Sequence, residues 1–465
     1  MKLRIVTLAL ALLAMASVHL PAQTVTLLHD FTNNPDGANP FGGLALAGGT
    51  LYGTTVHGGT NSGGTVFAMN TDGSGYRILH LFTGPPDGST PQAGLVLAGG
   101  TLYSAASGGT NDYGCLFSVD TSDGGYNEFY SFNVYSNGTF PEAQMVLDGG
   151  TLYGTAASDG YGNPGWGTVF SVQTSGNNYM ALYNFTTPHG VPLTNDDGEQ
   201  PGSGVILAGG TLYGAAYGGG TNGYGTIYSV PTNGGSLNVL HTFTNNPDGA
   251  YPQGGVTFAG GTLFGTTMSG GTNGKGTVFA VNSDGSGYLV LHSFLTNRID
   301  GFNPEASLTL VGGTLFGTTR LGGTGGRGTV FSIQTNGSGY GVLYNFTNTP
   351  EGADPESQLL YSAGSLFGVT EAGGSSVWGT VFRLDLPMLA ITSLNLAGTN
   401  LVINATNGIV GASYTVLTSS DLSVPPSLWL PVATNILSGG GGFTITVTNS
   451  VSAGVSQQFY ILQTQ

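Results

Sequence analysis

The chain has 465 residues, with 24 acidic side chains against eight basic ones, a formal net charge of −16, and only 7% of its residues charged. Holding a polyanion requires a clustered basic face, so this balance argues against nucleic acid as a partner and against adsorption to anionic lipid. The 83 glycines and 21 prolines would suggest low complexity in an unpatterned chain, but hydrophobic residues (39%) recur here at regular intervals, so the glycines read as turns between strands.

At the N-terminus, Lys2 and Arg4 precede an apolar run from Ile5 to about Val18 and then Leu20-Pro21-Ala22-Gln23. Cations, a short apolar stretch and a small residue predict a secretory signal peptide over residues 1–22, cleaved after Ala22, with Ala16 as a second small site and an uncleaved anchor as the alternative. No other segment approaches twenty apolar residues, so no membrane span is expected after its removal. The expected location is secreted or in the cell envelope, extracellular or periplasmic.

From there the chain repeats. Gly-Gly-Thr-Leu-Tyr-Gly or a close variant begins at Gly48, Gly99, Gly149, Gly209, Gly260 and Gly312, with a degenerate copy, Ala-Gly-Ser-Leu-Phe-Gly, at Ala363. The period is about fifty residues, lengthened once by an insertion around Pro188–Asp196. Each unit holds four short β-branched or aromatic runs bounded by Gly, Asn, Asp and Pro: in the second, Ala93–Leu97 (a), Thr101–Ser104 (b), Cys115–Val119 (c) and Asn127–Phe132 (d). Aromatic residues recur on three of the runs: Tyr52 to Phe367 on b, Phe67 to Phe382 on c, and Phe31 to Phe346 on d. One aromatic per strand per unit predicts core filling between sheets. The sole cysteine, Cys115, replaces the threonine of Gly-Thr-Val-Phe and reads as a buried strand thiol.

The ends of the repeat region supply the topology. The region opens with a lone d segment, Val25–Phe31, and its last unit has a, b and c (Leu359–Tyr361, Ser365–Val369, Gly379–Leu384) but no d. Pairing the orphan strand with the unfinished unit predicts an all-β, seven-bladed β-propeller over residues 24–386, closed by the N-terminal strand, in preference to a β-solenoid. With Gly-Gly-Thr-Leu-Tyr-Gly and Gly-Thr-Val-Phe repeated in this way, Val25 to Asp385 resembles the GloVer tandem repeat of secreted bacterial proteins, a family whose C-terminal anchors vary. The resemblance implies no activity, and no residue takes a catalytic role from it.

After Pro387 the repeat stops. Residues 388–465 hold alternating segments (Leu394–Leu396, Leu401–Ala405, Ser413–Thr418, Leu428–Ala433, Phe443–Val447, Gln458–Leu462) and predict a small C-terminal β-sandwich. Tyr414–Ser419 and Phe459–Gln463 resemble a C-terminal module common on secreted bacterial proteins. Sorting, surface attachment and capping all fit it.

In an up-and-down meander the b→c and d→a loops share one face. The b→c loop varies before its closing glycine: Gly63, Tyr113, Trp166, Tyr224, Lys275, Arg327 and Trp378 in turn. The six side chains from Tyr113 to Trp378 are the ligand-binding candidates, with sugar rings stacking on the aromatics; the alternative is that they lie as lids over the neighbouring blade. In the d→a loop, Asp36, Asp87, Asp197, Asp248, Asp300 and Glu351 each stand four residues before a proline, with Asn137 in the third copy, and Glu142, Glu305 and Glu356 follow three of the prolines. These acids read as turn formers, or as a carboxylate ring attracting Ca²⁺, the one cofactor considered. His29, His80, His241 and His292 on d alternate with Tyr130, Tyr183 and Tyr344, which suits an amphipathic ring better than a metal ligand. No nucleophilic triad or paired-carboxylate motif stands out. The expectation is a non-catalytic binding or scaffold protein recognising polysaccharide or surface protein through this face. A polysaccharide-active enzyme using its carboxylates and a purely structural envelope protein are the alternatives.

Overall fold

The computed structural model describes residues 23, 25–133, 138–158, 165–189, 194–296, 299–386, 390–406, 413–420, 428–436, 443–448 and 459–464. The signal-peptide segment 1–22 and Asn137 lie outside the described residues. Two compact units divide the chain, one of Val25–Leu310 with Leu315–Asp385, the other containing Leu386–Gln465.

The repeat unit is all-β, built from four-stranded antiparallel sheets, seven among the described residues. The first sheet runs Ala45–Ala47 (a), Thr50–Thr55 (b), Thr65–Asn70 (c) and Arg77–Leu81 (d) in sequence order. Strands a and b meet at Gly48-Gly49, whose φ values of +54° and +83° give the doubly left-handed two-residue turn that matches strand twist. Strand a is shorter than expected: in the second repeat only Val96–Ala98 pair, not Ala93–Leu97. Ala93 is instead tied crosswise, its carbonyl accepting from the Ser104 hydroxyl at 3.1 Å. The last sheet holds Leu360–Ser362, Ser365–Thr370 and Thr380–Asp385, and its fourth strand is Val25–Asp30, antiparallel to the third with Val25 opposite Leu384 and Asp30 opposite Thr380.

Aromatic residues join sheet to sheet. The phenylalanine ending each d strand packs edge-on against the c-strand ring of another repeat: Phe31 on Phe67 at 5.4 Å, Phe82 on Phe117 at 5.1 Å, Phe185 on Tyr228 at 5.2 Å and Phe346 on Phe382 at 5.2 Å. The d and c rings of this set are fully buried or nearly so. Each such contact is worth about 0.5–1.5 kcal/mol beyond the area it buries. Leu28 and Phe31 of the N-terminal strand share one core cluster with Leu44, Leu51 and Phe67 of the first repeat and Phe367, Val369 and Val381 of the seventh. Cys115 is buried on strand c, and burial pushes its thiol up to about 12, which keeps it protonated and unreactive.

The C-terminal unit holds two three-stranded antiparallel sheets among its described residues, Ala390–Ala397, Asn400–Thr406 and Phe443–Val447 in one, Leu430–Ile436, Ser413–Ser419 and Phe459–Thr464 in the other. Leu401, Ile403, Ile445 and Val447 from the first and Tyr414 and Val416 from the second form one core.

Candidate functional site

The d→a and b→c loops run side by side. Isolated bridges join Ala38 to His57, Glu199 to Gly218, Ala250 to Ser269 and Ala353 to Ala372. The residue before each loop proline is left-handed although it is not glycine: φ is +54° at Asn39, +48° at Thr90, +57° at Phe140, Asn303 and Asp354, +53° at Gln200 and +59° at Tyr251. Left-handed geometry is costly for a residue with a Cβ, and the hydrogen bonds made here offset it. The amide of each donates to the carbonyl of the variable b→c residue of another repeat: Asn39 to Trp378, Phe140 to Tyr113, Gln200 to Trp166, Tyr251 to Tyr224, Asn303 to Lys275 and Asp354 to Arg327, at 2.8–3.1 Å.

The six binding candidates therefore share one main-chain placement and differ in their side chains. Trp378 and Arg327 are exposed, whereas Tyr113, Trp166, Tyr224 and Lys275 are half-buried. Tyr113 packs against a core cluster, Tyr224 meets Tyr251 edge-on at 5.9 Å, and the Lys275 ammonium sits 4.6 Å from the centre of the Phe302 ring. Tyr113, Tyr224 and Lys275 thus lie against neighbouring side chains, and Arg327 and Trp378 stand open.

The loop acids hold the end of strand d. Asp36 accepts from the Thr32 amide (3.0 Å), the Thr32 hydroxyl (2.6 Å) and His29 Nε2 (3.0 Å). His80–Asp87, His241–Asp248 and His292–Asp300 repeat the 3.0 Å contact, the Tyr183 hydroxyl donates to Asp197 at 2.7 Å, and Glu351 accepts from the Thr347 hydroxyl at 2.8 Å. Burial opposes ionisation of Asp248, but hydrogen bonds from His241 and Thr244 outweigh it and hold the carboxyl below its usual range. For His29 and His80, burial outweighs the acid partner and lowers the imidazole value. Among the described residues, no three or more His, Cys, Asp or Glu side chains group so as to hold a metal ion.

Sequence reasoning missed the partner of these rings. Each histidine lies flat on a tyrosine from the start of another repeat's d strand: His29 on Tyr76 at 3.9 Å, His80 on Tyr126 at 4.0 Å, His241 on Tyr288 and His292 on Tyr340 at 3.7 Å. The Tyr76 hydroxyl donates to the Asp36 carbonyl at 2.6 Å. The available signal was the Gly-Tyr pair recurring at Gly75, Gly125, Gly287 and Gly339.

A cavity of about 460 Å³ draws its walls from all seven repeats, each contributing the residues that lead into strand a. The position after the loop proline is taken in turn by Phe41, Gln92, Glu142, Gly202, Gln253, Glu305 and Glu356; all seven line the cavity and they differ in kind, from aromatic to amide to carboxyl. The departure from sevenfold regularity is sharpest at the sixth and seventh repeats. Arg320 Nε lies 2.7 Å from Glu356 Oε1, and Arg320 Nη1 lies 3.7 Å from Glu305 Oε1. Gln253 donates to Glu305 at 3.3 Å. The Glu305 and Glu356 side chains are only 4% and 5% exposed, so their desolvation is severe. Burial, then the Glu305 and Glu371 charges, push Glu356 up to about 9 against the pull of Arg320, and burial raises Glu305 and Glu142 as well. Tyr217, stacked on Tyr251 at 5.1 Å, lies within the field of Glu305.

Arg320 and Glu371 were not anticipated. They occupy one repeat position, just after strand b, where the earlier copies carry Val56, Ser107, Ala157, Tyr217 and Met268. Their amides donate to the Asn303 and Asp354 carbonyls, each at 3.0 Å, which sets each beside the loop proline segment. The switch from uncharged residues to Arg and then Glu was the signal.

A family model described as the Gloeobacter/Verrucomicrobia repeat matches residues 15–196 and 200–418. No curated protein sequence matches the chain. Similar solved structures include an oligogalacturonate lyase from Vibrio parahaemolyticus (10% identity, TM-score 0.51, 78% of this chain and 94% of that one) and the extracellular domain of a one-component system from B. thetaiotaomicron (11%, 0.51, 82% and 46%). A puromycin hydrolase is similar at 11% identity and a TM-score of 0.50, over 81% of this chain and 59% of that one. At these identities the likeness speaks for the fold alone, and these neighbours are β-propeller-like. No helix among the described residues is long and apolar enough to cross a membrane.

Proposed function

The chain belongs to the Gloeobacter/Verrucomicrobia repeat family, and we propose that it is an exported, non-catalytic binding protein whose seven sheets close into a seven-bladed propeller. Pairing of Val25–Asp30 with Thr380–Asp385, and a cavity walled by every repeat, support the closed ring. Recognition falls to the face carrying the b→c and d→a loops, and glycans or surface proteins are its targets. The observation that carries this reading is the variable b→c position: one backbone hydrogen bond recurs there while the side chain changes from Gly63 to Tyr113, Trp166, Lys275, Arg327 and Trp378. A structural repeat has no need for such variety on a fixed scaffold, whereas a recognition surface does. Replacing Trp166 and Trp378 with alanine should abolish the binding of this protein to a glycan array; unchanged binding would remove glycan stacking from the reading.

A second reading, a polysaccharide-active enzyme, is favoured by the convergence of Glu305 and Glu356 on Arg320, since a pair of carboxyls is what acid–base chemistry on a glycosidic bond requires. Release of reducing ends from a polysaccharide panel, lost in both Glu305→Gln and Glu356→Gln, would establish it.

A further inference from the structure

The main-chain bonds between the loops set three residues side by side. The residue before the loop proline donates its amide to the variable b→c carbonyl, and its own carbonyl accepts from the residue just after strand b. That second bond joins Val56 to Asn39, Ala157 to Phe140, Tyr217 to Gln200, Met268 to Tyr251, Arg320 to Asn303 and Glu371 to Asp354, at 3.0–3.2 Å. Along the chain these groups of three differ in chemistry. Three consecutive groups carry the aromatic residues Tyr113, Phe140, Trp166, Tyr217, Tyr224 and Tyr251. The next two carry Lys275, Arg320 and Arg327 with Asp354 and Glu371, so positive charge that is scarce elsewhere gathers on neighbouring repeats.

The aromatic part is built against the preference of the backbone. A bulky side chain seldom takes a left-handed φ, yet Phe140 and Tyr251 hold +57° and +59° where other copies use Asn, Thr, Gln or Asp. Phe140 is 40% exposed, so burial does not account for its presence. Tyr251 stacks on Tyr217 at 5.1 Å and meets Tyr224 edge-on at 5.9 Å, which joins two groups into one platform of rings. On the charged side, Arg320 holds Glu356, but among the described residues neither Lys275 nor Arg327 is in an ion pair with a carboxylate. The Lys275 ammonium rests over the Phe302 ring, and Arg327 is open to solvent, with Asp354 within its field.

Ring faces beside two cations that hold no carboxylate suit a ligand with apolar ring faces of its own and a negative group. The net charge of −16 repels a densely charged polyanion, so the negative groups must be few. A peptide that docks by strand addition needs free main-chain groups, and here the amide and the carbonyl before the loop proline are both used between repeats. We propose that this face binds a sparsely carboxylated glycan, its sugar rings on the aromatic groups and a carboxylate on Lys275 and Arg327. This rests on the reading of the loop face as a recognition surface, and it names the ligand class and the side chains that select it.

The test is calorimetric titration of the full chain, at low salt and neutral pH, with matched pairs: sialyllactose against lactose, and glucuronosyl-xylotriose against xylotetraose. At least one acidic member should bind on the order of tenfold more tightly than its neutral counterpart, and the pair that responds tells a sialate from a uronate. Lys275→Ala with Arg327→Ala should remove that preference, and so should high salt, whereas Tyr251→Ala should weaken both members of the pair. If the double variant fails to fold, the salt dependence of the wild type decides. No binding by any of these saccharides, equal affinity within both pairs, a preference undiminished in the double variant, or one that survives high salt would each overturn the proposal. So would tighter binding of a tyrosine–glutamate copolymer than of every saccharide, which would make the face a protein-binding one. Equal affinity within a pair that is lost in Trp166→Ala with Trp378→Ala leaves the recognition face standing and removes the carboxylate selection alone.

Discussion

Replacing Phe31 with alanine probes whether the N-terminal strand carries the same load as a strand built into the middle of the repeat. Phe31 is fully buried, meets Phe67 edge-on at 5.4 Å and shares a cluster with residues of the first and seventh repeats. Losing its burial costs about 2 kcal/mol. A cavity of roughly 80 Å³ left unfilled adds about 2 kcal/mol at ~24 cal/mol per Å³. The expected destabilisation is therefore about 4 kcal/mol, equal within error to that of Phe243→Ala, whose ring packs on Phe279 at the same 5.4 Å. The assay is urea unfolding followed by tryptophan fluorescence. Trp378 is the useful reporter, because its carbonyl accepts from the Asn39 amide eight residues beyond Phe31. A loss below about 1 kcal/mol in Phe31→Ala, with Phe243→Ala costing the full amount, would refute the idea that the first strand completes the last sheet under load.

Asp248→Asn removes a charged acceptor from His241 and the Thr244 amide and should cost about 1–3 kcal/mol near neutral pH. Because the folded carboxyl titrates below 3.8, that stabilisation is present above the unfolded value and fades as pH falls through the folded one, so wild type and variant should converge in acid denaturation curves. Glu356 behaves in the opposite sense: its folded value of about 9 lies above 4.5, so its contribution is full below the unfolded value and is lost as pH rises toward 9. Glu356→Gln should flatten the fall in melting temperature on the alkaline side, and a variant that follows the wild-type slope would contradict this. Gly352 has φ +107°, and a Cβ there would overlap the Thr370 and Thr380 hydroxyls, whereas Gly48 at +54° faces open space. Thermal unfolding should show Gly352→Ala costing about 3 kcal/mol or more and Gly48→Ala only about 1 kcal/mol.

Much of the repeat was legible in the residues because each feature is local. Gly48-Gly49 admits a doubly left-handed turn, the alternating runs on either side form the strands, and an aromatic on each inner strand fills the space between sheets. The partner of the lone strand Val25–Asp30 was legible too, since counting segments left one strand and one vacancy. The positions of Tyr76, Tyr126, Tyr288 and Tyr340 were not, because a stack of His29 on Tyr76 joins residues of different sheets and leaves no periodic trace beyond the pair itself. Strand a was drawn too long for the same reason, as the Ala93 carbonyl is claimed by a side chain rather than by the neighbouring strand.

The amino-acid order alone determined the repeat, the strand content and the face on which the variable residues lie, because turn geometry and alternation act over a few residues and recur about every fifty. Only the tertiary structure decided which of those residues meet. Glu305, Arg320 and Glu356 stand in different loops, and the burial of the two carboxyls, their ion pairs with Arg320 and their raised values exist only where the sixth and seventh repeats bring them together. Desolvation and Coulomb interaction depend on distance through space, and no spacing along the chain reports it.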